Sequence, residues 1–471
     1  MIEHTTVTDP QDVRRPASRF YWQTVLLIFV LAAGLRGSLA VFNREANDDH
    51  YEVVKLILEG RTGLTLADCH ECFHPKFFYY VCAAMIRIFG LSTEVSRVVA
   101  GQLLNSLAGL LTLGLVFSVL NAAPLHAKWR LWAFTLIALN PRLIAINGQF
   151  SNDSFAILFA TAAIFLTLRL LQSPSVWLGV ITQLMLSCAL MTKGTTWVVA
   201  IAMAIIFFVR ALLDQSKNRR RLFAGLYVIT ALNGFMSIQL AGYDFDNYDA
   251  YANMGRGQPL HLWQKTSVGR PGVQSVVDGY LTFRLLELLS DPQSTNGYAI
   301  EQQHRTSVWT HLYARANFAQ FEQHPSSWLT TNPSVLLIAK CSMVLGLLPL
   351  FFLLVGLGSS ARRSLFAWRT WGVPSQGDYA SLFCALVCCG YIAFIIKFTA
   401  DYRDFAAMKV IYMLPGALPF TLVLAEGMQK AVDGLNRVVH TEPVVHIVLF
   451  CLVGLHCCGV LALVSHLADR L

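Results

Sequence analysis

Long apolar runs separated by short polar breaks fill almost the whole chain. Runs near spanning length occupy 20–41, 95–119, 131–147, 153–172, 175–191, 195–213, 222–242, 333–357, 379–398, 405–426 and 443–465. A membrane-crossing helix needs about 17–25 residues, so 131–147 and 175–191 lie at the lower limit. Phe77–Phe89 is apolar too, but short and interrupted by Arg87. Residues 45–59 put Tyr51, Val54 and Leu58 on one helical face and Glu52, Lys55 and Glu59 on the other, which predicts an amphipathic helix. The segment 243–332 is the one long polar stretch. Its aromatic patches, including Trp309, Tyr313, Phe318 and Trp328, are expected to form amphipathic helices covering a membrane face.

Charge sets the sidedness. Lys128/Arg130, Lys217 with Arg219–Arg221, Arg362/Arg363/Arg369 and Lys430/Arg437 share one side with Arg14, Arg15 and Arg19 only if 75–90 does not cross. Basic loops stay cytoplasmic, so 75–90 is expected to lie flat, its aromatic face in the headgroups. The result is an all-α polytopic protein of about eleven spans, amino terminus inside and carboxyl terminus outside. Its parts are a cytoplasmic tail (1–19), a membrane module (20–242, with a first outer loop at 42–94), an extracytoplasmic loop (243–332) and carboxyl-terminal spans (333–471). No small-residue cleavage site follows the first span, which reads as a retained signal anchor.

Composition agrees. Of 471 residues 55% are hydrophobic and 14% charged, against about 25% charged in soluble domains. The net charge of +8 is spread between spans, a topology signal rather than a nucleic-acid footprint. Most of the eleven cysteines lie in apolar runs; only Cys69 and Cys72 fall in a polar segment. Their spacing suits a disulfide, half of a zinc site completed by His70 or His74, or coincidence.

Candidate chemistry gathers at the outer ends of the spans. The first outer loop carries Asn47-Asp48-Asp49-His50-Tyr51 and then Cys69-His70-Glu71-Cys72-Phe73-His74-Pro75-Lys76. Carboxylates beside a bilayer are costly and are functional candidates by default, although a helix cap accounts for one aspartate of a pair. Asp153 opens the helix after Gln149-Phe150-Ser151-Asn152, where an N-cap is the competing reading. Lys193 breaks two spans at Thr192-Lys193-Gly194, to snorkel or to meet a phosphate. Arg403, Lys409 and Tyr412 sit at the head of the tenth span, with Lys409 expected inside the helix and facing a cavity. Tyr243-Asp244-Phe245-Asp246 offers a weaker cation pattern.

In this order and on this shared side, these motifs resemble the GT-C superfamily of membrane glycosyltransferases, most of all the protein O-mannosyltransferase and aminoarabinose-transferase type. Asp48-Asp49 resembles the acidic pair of the first outer loop, and His74-Pro75-Lys76 the His-Pro-Pro motif, with lysine for the second proline. Arg97 is similar to the arginine opening the second span. Asp153, Lys193-Gly194 and the Lys409, Tyr412, Pro415 run match the later motifs.

The resemblance implies a polyprenyl-phosphate sugar as donor, a hydroxyl acceptor on a protein, lipid or glycan, and an inverting displacement in a multi-pass envelope membrane (the plasma or inner membrane in a bacterium). Asp48 is then the base with Asp49 as its substitute, and Asp153 orients a substrate. Lys193, Arg403 and Lys409 meet the phosphate, while His74, Lys76, Arg97 and Tyr412 line the pocket. No metal ligand or cofactor is required, but the oligosaccharyltransferase branch uses a metal, which leaves room for a divalent cation. A lipid-linked glycan polymerase or ligase would instead depend on Arg284, Arg305, His311 and Arg315. A transporter would show repeated halves and charges buried at mid-depth, which the sequence does not suggest.

Overall fold

The structure is a computed structural model and describes residues 19–46, 49–65, 67–240, 276–290, 292, 307–318, 332–369, 375–402 and 408–470. Asp48, Arg305, Trp328, Arg403 and the Asp244/Asp246 pair lie outside the described residues.

Among the described residues nine helices are long and apolar enough to cross a membrane. The helices, in order, are α1 (Arg19–Phe42), α2 (His50–Leu58), α3 (Phe77–Ile88), α4 (Glu94–Ala122), α5 (Ala127–Ala138), α6 (Pro141–Asn147), α7 (Asp153–Gln172), α8 (Val176–Leu190), α9 (Trp197–Leu213) and α10 (Lys217–Leu240). After the described parts of the outer loop, α11 (Val276–Tyr280), α12 (Leu285–Ser290) and α13 (Val308–Asn317), come α14 (Pro333–Leu345), α15 (Leu347–Arg369), α16 (Gln376–Tyr402), α17 (Ala417–Leu435) and α18 (Glu442–Ala468). The fold is the all-α polytopic one expected, with two differences among the spans. Segment 131–147 is not one crossing helix but α5 and α6, divided at Asn140-Pro141. Pro141 cannot continue α5 but suits the first position of α6, and Asn140 Oδ1 accepts from the Leu143 amide at 2.9 Å. Segment 175–191 is α8, which at 15 residues is shorter than a usual crossing but runs back along α7 and brings Lys193 to Asp153.

α3 has 12 residues and reaches only about 18 Å at 1.5 Å per residue, too short to cross. Its burial differs from the expectation. Phe78 and Tyr79 turn inward, Phe78 meeting Phe150 and Phe155 edge-on, and it is Tyr80, Ile88 and Phe89 that stay exposed.

Ion pairs mark the two ends of the bundle. Lys128 reaches Glu442 at 2.6 Å, joining the first turns of α5 and α18. At the opposite end Arg470 lies 3.2 Å from Glu45. Helices α1 and α10 present rows of exposed Leu, Val, Ile and Phe outward, as a lipid-facing wall would. α7 is the most enclosed span, 72% of its apolar window being buried against 28% for α10. Its first residue, Asp153, is thereby held at the centre of the bundle end. α15 and α17 approach closely where Gly356 faces the Val423 carbonyl and Gly427 the Phe352 carbonyl, as small residues permit.

Ionisable groups inside the spans were not expected, yet Arg36 and His456 are buried within α1 and α18. Two of the three Arg36 guanidinium nitrogens are hydrogen-bonded. Its Nε donates to Asn147 Oδ1 at 2.9 Å, and its Nη1 donates to the Ala138 and Ala32 carbonyls at 2.9 and 3.1 Å. It thus ties α1 to the end of α5 and to α6.

Candidate active site

Four separate segments meet at the Arg470–Glu45 end of the bundle. The first runs from His50, at the head of α2, to the 3₁₀ turn His70–Phe73 and His74. A Cys69–Cys72 disulfide closes that turn, so these sulfurs are spent on each other rather than on a metal. The backbone beyond it is anchored to the bundle, because the Phe77 amide donates to the Met191 carbonyl at 3.2 Å. This brings the His-Pro-Lys motif against the Thr192-Lys193 break.

Lys193 does not snorkel. Its Nζ lies 2.5 Å from Asp153 Oδ1, both side chains being under a tenth exposed, and 5.8 Å above the Tyr412 ring. Asp153 is the first residue of α7, and its carboxylate is engaged by Lys193. It is also within electrostatic reach of His50, His74 and Arg142. Asn152 bridges the two halves of the site, donating to the Thr192 carbonyl at 3.2 Å and to the Tyr79 hydroxyl at 3.5 Å. That hydroxyl lies 2.7 Å from His50 Nδ1.

Around it, Glu71 Oε2 lies 2.9 Å from His74 Nε2 and 3.7 Å from His50 Nδ1. The two imidazoles are stacked with centroids 5.6 Å apart. One ligand atom from each of His50, Glu71 and His74 falls within 4.8 Å of the others. Among the described residues this is the donor set offered to a cation, in place of Cys69 and Cys72. Burial is the largest influence on His74 and pushes its imidazole down to about 4 despite Glu71. Burial likewise brings Lys76 down to about 8.

The structure thus brings His74, Asp153, Lys193 and Tyr412 together. Asp49 stands exposed at the N-cap of α2 and makes no side-chain capping bond. Lys76 donates to the Cys72 and His74 carbonyls, bracing the turn from within. Arg97 Nε donates to the Leu91 carbonyl at 2.9 Å and so is engaged at the turn before α4. Lys409 is not inside a helix: it precedes the 3₁₀ turn Val410–Gly416 as its N-cap, so the expense of a lysine in hydrocarbon is no argument for its role.

His50, Glu71, Tyr79, Asn152 and Arg142 were not singled out by sequence reasoning. Arg142 had one readable signal, the Asn-Pro-Arg interruption of a marginal span. The others depend on a meeting of segments that periodicity does not show.

Helix α13, from the segment 243–332, packs on α6, α14 and the Val410–Gly416 turn, burying His311 and Arg315. The Asn140 side chain holds it through the Ala316 carbonyl at 3.0 Å. Arg284 is paired with Asp278 at 3.0 Å and Glu287 at 3.3 Å.

No protein-family profile and no curated protein matches the chain. Solved structures do. The oligosaccharyltransferase AglB of Archaeoglobus fulgidus, in complex with an inhibitory peptide and a dolichol-phosphate, is 14% identical with a TM-score of 0.50, over 96% of this chain and 56% of its own. ArnT from Cupriavidus metallidurans bound to undecaprenyl phosphate is 13% identical with a TM-score of 0.37, over 89% and 80%. The S. cerevisiae protein O-mannosyltransferase Pmt1-Pmt2 complex bound to its sugar donor is 14% identical with a TM-score of 0.40, over 51% and 35%. The chain spans about half the length of AglB. At this identity the AglB likeness establishes a shared fold.

Proposed function

We propose that this multi-pass membrane protein of GT-C fold is a glycosyltransferase, moving a sugar from a polyprenyl-phosphate donor to an acceptor hydroxyl on the extracytoplasmic face. The observation that carries the reading is the meeting of His74, Asp153, Lys193 and Tyr412, distant in sequence, in one buried polar cluster at one bundle end.

The chemistry asks little of such a site. A carboxylate takes the acceptor's proton as its oxygen attacks the anomeric carbon, and the bond from that carbon to the phosphate oxygen breaks with inversion. The lipid phosphate leaves with the bonding pair. Asp48 is the base in this reading, with Asp49 as substitute. A displaced phosphate needs cations placed beforehand, and Lys193, fixed by Asp153 and Tyr412, supplies one. Arg403 and Lys409 are the further candidates. Arg142, buried and within electrostatic reach of Asp153 and Tyr412, joins them. A divalent cation bound at His50, Glu71 and His74 would supply further charge stabilisation for the leaving phosphate.

For a polymerase or ligase built on outer-loop cations, Arg284 is already matched by two carboxylates. Purified protein offered a panel of radiolabelled polyprenyl-phosphate sugars should consume at least one and release the lipid phosphate. Consumption of none, together with solute uptake by proteoliposomes, would replace this reading with transport.

A further inference from the structure

We infer that His50, Glu71 and His74 form a binding site for one divalent transition-metal ion of the zinc class. Two imidazoles and one carboxylate are a zinc ligand set that leaves a fourth position open. The mixture of nitrogen and oxygen donors favours zinc, cobalt or manganese over calcium or magnesium. The three groups come from two segments, yet their ligand atoms lie within 4.8 Å of one another. His74 Nε2 and His50 Nδ1 approach the same Glu71 oxygen, at 2.9 and 3.7 Å.

The frame around them is rigid. The Cys69–Cys72 disulfide closes the turn that carries Glu71, and the Phe77 amide anchors the chain beyond His74 to the Met191 carbonyl at 3.2 Å. Ligands held by neighbouring groups lose little freedom on binding an ion. His50 and Glu71 are buried while His74 remains 16% exposed, which leaves a side open for a water or a phosphate oxygen. Lys193 and Lys76 are the nearby cations that would oppose an ion; Lys193 is matched by Asp153 at 2.5 Å, and Lys76 is engaged by the Cys72 and His74 carbonyls. The inference rests on this geometry alone and holds whatever reaction the site performs.

The test uses tag-free, full-length protein in detergent, stripped with a chelator and dialysed against micromolar Zn²⁺. Wild type should retain one zinc per chain by mass spectrometry. Glu71→Gln and His74→Gln should each weaken retention about 100-fold, while Glu442→Gln at the far end should not. Cobalt in place of zinc should give the visible bands of a four- or five-coordinate ion without a thiolate charge-transfer band. That spectrum, read on wild type, decides the matter even where a variant misfolds. Wild type that holds no ion, retention indifferent to both substitutions, or a thiolate band would overturn the site.

Discussion

Lys193 and Asp153 face each other at 2.5 Å across the joint between α8 and α7, with side chains 9% and 8% exposed. Neither charge has much access to water, so each depends on the other. Removing one should cost more than removing both. Lys193→Met or Asp153→Asn alone should lower stability by about 3–5 kcal/mol, and the double variant by clearly less. Thermal melts of detergent-solubilised protein measure this; equal losses in single and double variants would show that the pair is not coupled.

For the base, Asp48→Asn should reduce sugar transfer by about 100-fold or more. Asp49→Asn should do so only if the neighbour carries the proton. Assays on membranes with a radiolabelled polyprenyl-phosphate sugar separate the two, and full activity in both variants removes the pair from the mechanism.

Acid should loosen the first outer loop through His74. Folded, this imidazole titrates near 4 instead of its ordinary 6.5, so below 6.5 the unfolded chain takes up a proton that the folded chain refuses. Stability therefore falls as pH drops from about 6.5 towards 4, by up to about 1.4 kcal/mol per unit. Between about pH 7 and pH 5 the melting temperature of chelator-stripped wild type should fall more steeply than that of chelator-stripped His74→Gln. Parallel slopes would assign the acid sensitivity elsewhere.

The seam between α15 and α17 should not tolerate a methyl group. A Cβ on Gly427 would overlap the Phe352 carbonyl oxygen, backbone that has no rotamer to yield. Gly427→Ala should cost about 1–3 kcal/mol. Gly434→Ala, on the same helix with open space around it, should be neutral or mildly stabilising. Melting curves of the two variants form the comparison.

The charge-derived topology places Lys128 on the cytoplasmic side, beside Glu442. A cysteine there should resist an impermeant maleimide in right-side-out vesicles and react after permeabilisation. Labelling before permeabilisation would reverse the sidedness.

The sequence was informative where a single segment sufficed. Apolar length located the nine long helices among the described residues and set the shorter α3 apart from them. It failed where two segments decide. Nothing local tells that Phe77 bonds to Met191, and that bond helps bring the first outer loop against Lys193. Nor does a helical pattern reveal that Pro141 divides a marginal span, or that the tenth span opens as a 3₁₀ turn with Lys409 outside it. His50 and Glu71 were visible as polar residues in polar segments, but each acquires a role only through the other.

Arg36 bears on how the protein is made. Its hydrogen-bond partners on α5 and α6 follow it by 102 and 111 residues, so α1 leaves the ribosome long before the groups that satisfy its guanidinium exist. A lone arginine within a span costs about 2.5–3.5 kcal/mol at insertion, a debt the nascent chain carries until α6 has been synthesised. The membrane-embedded floor beneath Asp153 is therefore complete only once the broken helix has been made and has packed against α1.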